Sequence, residues 1–161
     1  MTFSNKIAEL KNKGFFENLV ITRGIEKESL RVTEDGFLSQ TKHPKGLGSP
    51  LTNKYITTDF SEALVELVTP TFNNIDDVYE FLLDLHIFTG KAMKPDEVLW
   101  TNSMPCFIAD ESEIRIAEFG SSNIGRLKNI YRKGLRVRYG SIMQCVAGIP
   151  VSYTHLRAHE T

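Results

Sequence analysis

Apolar positions along the chain follow two different periods, and the switches between them outline the fold. Ile7 and Leu10 stand at helical spacing within residues 5–19, which predicts a short amphipathic helix at the start. Across residues 19–32 the pattern is strand-like, and Glu34-Asp35-Gly36 supplies turn chemistry for a hairpin returning through Phe37-Leu38-Ser39. Pro44, Gly46, Gly48 and Pro50 mark a loop, after which residues 55–59 and 63–69 read as extended segments closed by Pro70. Asn74 then caps the clearest helix. Its Ile75, Val78, Phe81, Leu82, Leu85 and Phe88 recur at steps of three and four, predicting a stripe packed on a sheet, with Gly90 and Pro95 ending it. Residues 100–108 read as loop plus a short strand, and 110–118 are polar without a clear element. A second helix is predicted from about residue 123 to 139, followed by a strand over 142–146. Helix, hairpin, strands, helix, helix and strand, joined by short connections, predict an α+β fold: an antiparallel sheet with helices on one side.

Polar residues inside these strands carry the first chemical signal. Alternation puts Gly24, Glu26, Glu28, Leu30 and Val32 on one face of their strand and Arg23, Ile25, Lys27 and Arg31 on the other. Two carboxylates therefore share a face that continues into core residues, which is costly without a cation. Glu66 repeats the problem between Leu64 and Val68, and Asp59 sits at a strand end, where a cleft naturally opens. Oxygen-only ligands from several strands suit a hard cation that bridges to substrate phosphates. The competing reading makes Glu26 and Glu28 solvated edge-strand charges and pairs Glu66 with an arginine such as Arg23.

The second helix carries the opposite sign. Arg126, Lys128, Arg132, Lys133, Arg136 and Arg138 flank a stripe of Ile124, Leu127, Tyr131, Leu135 and Tyr139, with no acid between Phe119 and His159. One reading is a phosphate or carboxylate site, since arginine contacts both in bidentate fashion; the other is a solvated face with snorkelling side chains. A net charge of -1 gives no bulk attraction to nucleic acid or to acidic membranes. With no signal-peptide pattern and no membrane-length apolar run, a cytoplasmic location is expected, in which Cys106 and Cys145 are reduced, partly buried thiols.

Taken in order, Gly24-Ile25-Glu26-Lys27-Glu28-Ser29-Leu30-Arg31-Val32, Ile56-Thr57-Thr58-Asp59-Phe60, Ala63-Leu64-Val65-Glu66, Ser103-Met104-Pro105-Cys106 and the run from Gly120 to Gly140 resemble the proteobacterial type of glutamate-cysteine ligase over about residues 7–149. The resemblance implies a cup-shaped antiparallel sheet related to glutamine synthetase. It also implies an enzyme that joins the γ-carboxyl of L-glutamate to the amine of L-cysteine at the expense of ATP, through a γ-glutamyl phosphate, in the first step of glutathione synthesis. By that pattern Glu26, Glu28, Asp59 and Glu66 surround Mg²⁺, with Mn²⁺ as a substitute, and Phe60, Tyr131, Leu135 and Gln144 form the cysteine pocket. Arg132 is then the catalytic candidate, contacting phosphate or glutamate. Neither nucleic acid nor membrane is an expected partner, and no oligomeric state follows. A metal-dependent phosphohydrolase using the same carboxylates and a nucleic-acid-binding module built on the basic helix are the alternatives.

The resemblance stops at Gly148-Ile149, where the family continues with His-Tyr-Asn and this chain has Pro150. Residues 1–149 are therefore expected to be the amino-terminal portion of the ligase catalytic domain, inactive by themselves. Residues 150–161, which lack apolar periodicity, are read as an adaptor or frameshift artefact with no part in the fold.

Overall fold

Most of the sheet pairing among the described residues runs through one strand. In the computed structural model, which describes residues 2–17 and 20–153, β1 (Arg23–Thr33) is flanked on both edges. One edge pairs antiparallel with β3 (Leu64–Val68) over Glu26 to Leu30, and β3 in turn pairs with β2 (Ile56–Thr58). The other edge is shared by two short strands, β4 (Glu97–Leu99) against Arg31 to Thr33 and β5 (Val151–Tyr153) against Arg23 to Ile25. Amide direction confirms the division. Glu26 and Glu28 donate to the carbonyls of Pro150 and Gly148, whereas Arg31 donates to Ala63 on the β3 side.

The two faces of this sheet have separate cores. One packs Leu47, Ile56, Val65 and Leu67 against Leu85, Phe81 and Leu82 of α2 (Ile75–Ala92). The other gathers Leu30, Val32, Phe60, Leu64, Cys106, Ile114, Cys145 and Ala147 from the sheet and the long connections that follow it. The structure thus has the expected α+β class, but its helices do not share one side of the sheet: α2 packs on one face, whereas Leu135 of the second predicted helix packs against the core of the other. The strand pairings at 56–58 and 64–68 match expectation, and Asn74 caps α2 by accepting from the Asp76 amide at 3.0 Å.

Several elements differ from expectation for identifiable reasons. The first helix, α1, spans Phe3–Asn12 rather than 5–19: the Thr2 hydroxyl accepts from the Asn5 amide, and the chain turns after Lys13. The strand predicted from residue 19 starts at Arg23, and residue 19 itself lies outside the described residues. The hairpin return shrinks to a single bridge, Val32 to Leu38, because β3 and the loop after β2 occupy that edge. Gly90 does not end α2, which continues to Ala92; one exposed helical glycine costs only about 1 kcal/mol. β4 went unpredicted, being three residues with no room for alternation. The strand predicted within residues 100–108 reduces to a bridge between Phe37 and Phe107. Residues 142–146 are not a strand: Ile142–Cys145 form a 3-10 turn, since their apolar run finds no ladder partner. Finally, the segment after Gly148 joins the sheet as β5. Main-chain hydrogen bonding to an open edge needs no side-chain pattern, which is why the sequence of residues 150–161 did not announce it.

Helix α3 (Asn123–Tyr139) has the predicted bounds. Its apolar stripe does not face inward: Ile124, Leu127, Tyr131 and Tyr139 are exposed, and only Leu135 is partly buried. Gly125 and Arg132 take the inner face instead. At Gly125 a Cβ would lie 2.2 Å from the Phe119 carbonyl oxygen, so only glycine allows the helix this close to the turn below it.

Candidate active site

The β1–β3 register brings two of the predicted carboxylates face to face. Glu28 is directly opposite Glu66, so their side chains leave the same side of the sheet, and Glu26 lies one step along, opposite Val68. Because the Glu26 and Glu28 amides point to the other edge, Glu28 and Glu66 occupy a non-hydrogen-bonded pair, the closer type, with Cα atoms about 4.5 Å apart. Thr57 of β2 faces Glu66 from the far side. Like charges directly opposite one another destabilise a sheet, so this arrangement works against the fold unless something neutralises it.

The electrostatics identify all four predicted carboxylates as one group. Burial pushes the Glu66 carboxyl up to about 7, and Asp59, Glu26 and Glu28 push it in the same direction, with Arg132 the opposing influence. Glu28 is likewise raised, first by burial and then by Asp59 and Glu26, against a hydrogen bond from the Gly148 amide to its Oε2 at 2.7 Å. The competing solvated reading fails on both counts. β1 is central rather than an edge, and Arg23 spends its guanidinium on the carbonyls of Ile21 and Asn73, both at 3.4 Å.

Arg132 reaches this group from α3. Its Nε donates to the carbonyl of Asp59, its second nitrogen donates to Thr58 at 3.3 Å, and the same nitrogen lies 3.9 Å from the Asp59 carboxylate. The guanidinium stacks on Phe119 with 4.4 Å to the ring centroid and is 7% exposed. Asp59, with its side chain 46% exposed, opens this end of the group to solvent. Among the described residues, no three metal-binding side chains form a ready-made ligand cluster. The donor set nonetheless fits a hard cation: oxygen only, four carboxylates against one guanidinium, and open to water and substrate oxygens.

The predicted cysteine-pocket residues separate by depth. Phe60 is 1% exposed inside the core, Leu135 packs partly against it, Gln144 is half-buried on the 3-10 turn, and Tyr131 is 63% exposed. Phe60 and Leu135 thus belong to the core, while Tyr131 projects from α3 into solvent. Sequence reasoning missed the Gly148 amide on Glu28 and the Phe119 platform under Arg132. A backbone donor leaves no residue signal, and a lone aromatic before a helix cap reads as ordinary core. It also missed the opposite face of β1, where the fully buried Arg31 donates to Glu97 at 3.1 and 3.2 Å and to the carbonyls of Thr41 and Glu62, while Ser39 and Thr41 donate to Glu97.

An open antiparallel sheet carrying acidic side chains on one face, with helices against it, is the glutamine synthetase-like architecture. Comparison with known proteins narrows this class. Residues 6–156 match the family described as glutamate-cysteine ligase, a match that runs past residue 149 into the β5 segment. The glutamate-cysteine ligase of Alcanivorax borkumensis is 53% identical over 135 residues, covering 84% of this chain and 26% of the relative. That of Yersinia pseudotuberculosis is 51% identical over 134 residues, covering 83% and 26%. The crystal structure of the Francisella tularensis glutamate-cysteine ligase in complex with AMP superposes with a TM-score of 0.83 at 47% identity, over 85% of this chain and 27% of that one. A bifunctional glutathione synthetase from Pasteurella multocida gives 0.76 at 30% identity, over 89% and 18%. The chain belongs to the glutamate-cysteine ligase family, and it spans about a quarter of the length of the curated relatives it matches.

Proposed function

We propose that this chain supplies the amino-terminal part of an ATP-dependent glutamate-cysteine ligase site, with Glu26, Glu28, Asp59 and Glu66 as the cation-binding face. The observation that carries the reading is the Glu28–Glu66 pair, a like-charge juxtaposition in the middle of a sheet, in which Arg132 is the opposing influence on Glu66 and neither carboxylate has an ion pair among the described residues. Mg²⁺, or Mn²⁺ in its place, supplies charge neutralisation of the ATP phosphates and alignment of the transferred phosphoryl group when bound.

The residues of this chain then divide the remaining work. Arg132, held flat on Phe119 and anchored to the carbonyls of Thr58 and Asp59, presents its charge to the γ-phosphoryl group or to the glutamate carboxylate. A γ-carboxylate oxygen of glutamate attacks the γ-phosphorus, and ADP leaves. The cysteine amine then attacks the acyl carbon and inorganic phosphate leaves, so water must be kept from the acyl phosphate. Phe60 and Leu135 contribute the apolar floor for that exclusion, with Tyr131 and Gln144 at its rim as cysteine contacts. L-Glutamate, L-cysteine and ATP are the partners this reading requires, the cytoplasm is the compartment that holds them together, and neither nucleic acid nor membrane has a place in it. Among the described residues no helix is long and apolar enough to cross a membrane.

The ligase portion of the chain extends at least over the matched residues 6–156, and the chain alone is inactive. The test is co-expression of this chain with the remaining carboxy-terminal portion of a close relative. ADP release dependent on both glutamate and cysteine should appear only in the reconstituted sample and fall by at least about 100-fold in Glu28→Gln. Phosphate release without either amino acid would instead establish a phosphohydrolase, and ADP release by the chain alone would overturn the inactivity.

A further inference from the structure

Away from the acidic face, the molecule carries a concave surface of opposite sign. A depression of about 420 Å³ is walled by Lys42, Arg115, Lys133 and Arg136, and two adjoining depressions, which also include Lys42, add Lys45 and Lys94. The carboxylates on these walls are Glu62, Glu97 and Glu118. Two are already engaged: Glu97 by Arg31, Ser39 and Thr41, and Glu62 by the backbone amides of His43 and Glu118 at 3.0 and 3.2 Å. None of the six cations forms an ion pair with any carboxylate among the described residues. His43 lines the two adjoining depressions with both imidazole nitrogens buried and without a hydrogen-bond partner.

Four cations without ion pairs around a depression of small-ligand size, with two more in the adjoining depressions, differ from a solvated basic face, whose charges spread over convex surface. Lys42 comes from the loop before β2, Arg115 from the connection after β4, and Lys133 and Arg136 from α3, so three separate parts of the chain aim positive charge into one hollow. Arg136 offers a guanidinium fork, Arg115 adds a guanidinium with one nitrogen already donating to the Gln40 carbonyl at 3.0 Å, and two ammonium groups offer mobile donors, a set suited to phosphate oxygens. We propose that this trough binds a small oligophosphate ligand at a site separate from the acidic face of the sheet. None of Glu26, Glu28, Asp59 or Glu66 lines it, so the site stands or falls independently of the ligase reading.

The probe is inorganic pyrophosphate, titrated calorimetrically into the whole 161-residue chain in EDTA, which removes any contribution from a cation on the acidic face. Saturable one-to-one binding is expected at about 0.1 M salt, weakened at least about tenfold by Lys42→Glu and by Arg136→Glu. Arg126→Glu, an equally exposed α3 cation outside the trough, should leave it unchanged. A nucleoside triphosphate should bind as pyrophosphate does, whereas adenosine should not bind. Non-saturable uptake, equal weakening by Arg126→Glu, or binding of adenosine would each overturn the proposal. Circular dichroism checks folding, and Lys42→Gln and Arg136→Gln replace any charge reversal that fails it.

Discussion

Replacing Glu66 by glutamine should stabilise this protein in the absence of divalent cations, and only at higher pH. Glu66 stands opposite Glu28, and burial together with Asp59, Glu26 and Glu28 lifts its carboxyl from an ordinary 4.5 to about 7. The folded state thus holds a proton that the unfolded chain releases at lower pH, so stability declines as pH rises between these two values and the full penalty applies above the upper one. At 1.36 kcal/mol per pH unit the difference is about 3 kcal/mol, and solvent screening of a half-buried group reduces it to about 1–2 kcal/mol. Glutamine keeps the shape and carries no charge. Glu66→Gln should therefore melt some 3–6 °C above wild type at pH 8 in EDTA, with the two curves converging at pH 4.5. Millimolar Mg²⁺ should narrow the gap by stabilising wild type alone. Differential scanning fluorimetry across pH, with and without Mg²⁺, reads all three outcomes. If the variant is no more stable than wild type at pH 8 in EDTA, the carboxylates do not repel one another and the argument for a cation on this face collapses.

Other consequences can be checked on the same folded chain. Glu97→Ala leaves Arg31 buried without its carboxylate and should cost about 3–5 kcal/mol by urea denaturation. In wild type, burial raises the Glu97 carboxyl, but its bonds from Ser39, Thr41 and Arg31 together hold it below the ordinary range. Its stabilisation is therefore present above that range and lost on acidification, so wild type but not Glu97→Ala should show this component of acid unfolding. Gly125→Ala drives a methyl into the Phe119 carbonyl and should destabilise by more than about 2 kcal/mol, whereas Gly134→Ala, with nothing within 4 Å, should stabilise by about 0.5–1 kcal/mol; paired thermal melts separate the two. Removing residues 151–161 deletes the three-residue β5 but keeps Gly148 on Glu28, so hydrogen exchange should rise at the Gly24 amide while the melting temperature changes by only a few degrees.

How much of this was legible in the sequence depended on whether the signal was local. α3 could be bounded to about residues 123–139 from its spacing, and the structure fixes those ends with the Ser122 hydroxyl accepting from the Gly125 amide and with Gly140 after the last turn. Its rotation could not be read from that spacing. Periodicity counts apolar positions, but the close approach permitted by Gly125 and the carbonyls waiting for Arg132 decided which face turned inward. The acidic group was legible strand by strand, since alternation puts Glu26 and Glu28 together and isolates Glu66 among apolar neighbours. That Glu66 would stand opposite Glu28 depended on register, which is set by the loop between β2 and β3 and by the core. The buried Arg31 looked like a surface charge on an alternating strand. The partners of its guanidinium come from residues 41, 62 and 97, and no local pattern joins them.

β1 is paired along both of its sides, and its partners β3, β4 and β5 all lie later in the sequence. During synthesis this strand emerges ahead of every strand that will satisfy its amides and carbonyls. The order of the chain and the order of pairing run against each other, so closure is non-local and slow. Until it is complete, an eleven-residue strand bearing Leu30 and Val32 is a nascent chain's open invitation to neighbouring polypeptides, and yield in the cell should depend on chaperone supply more than on final stability.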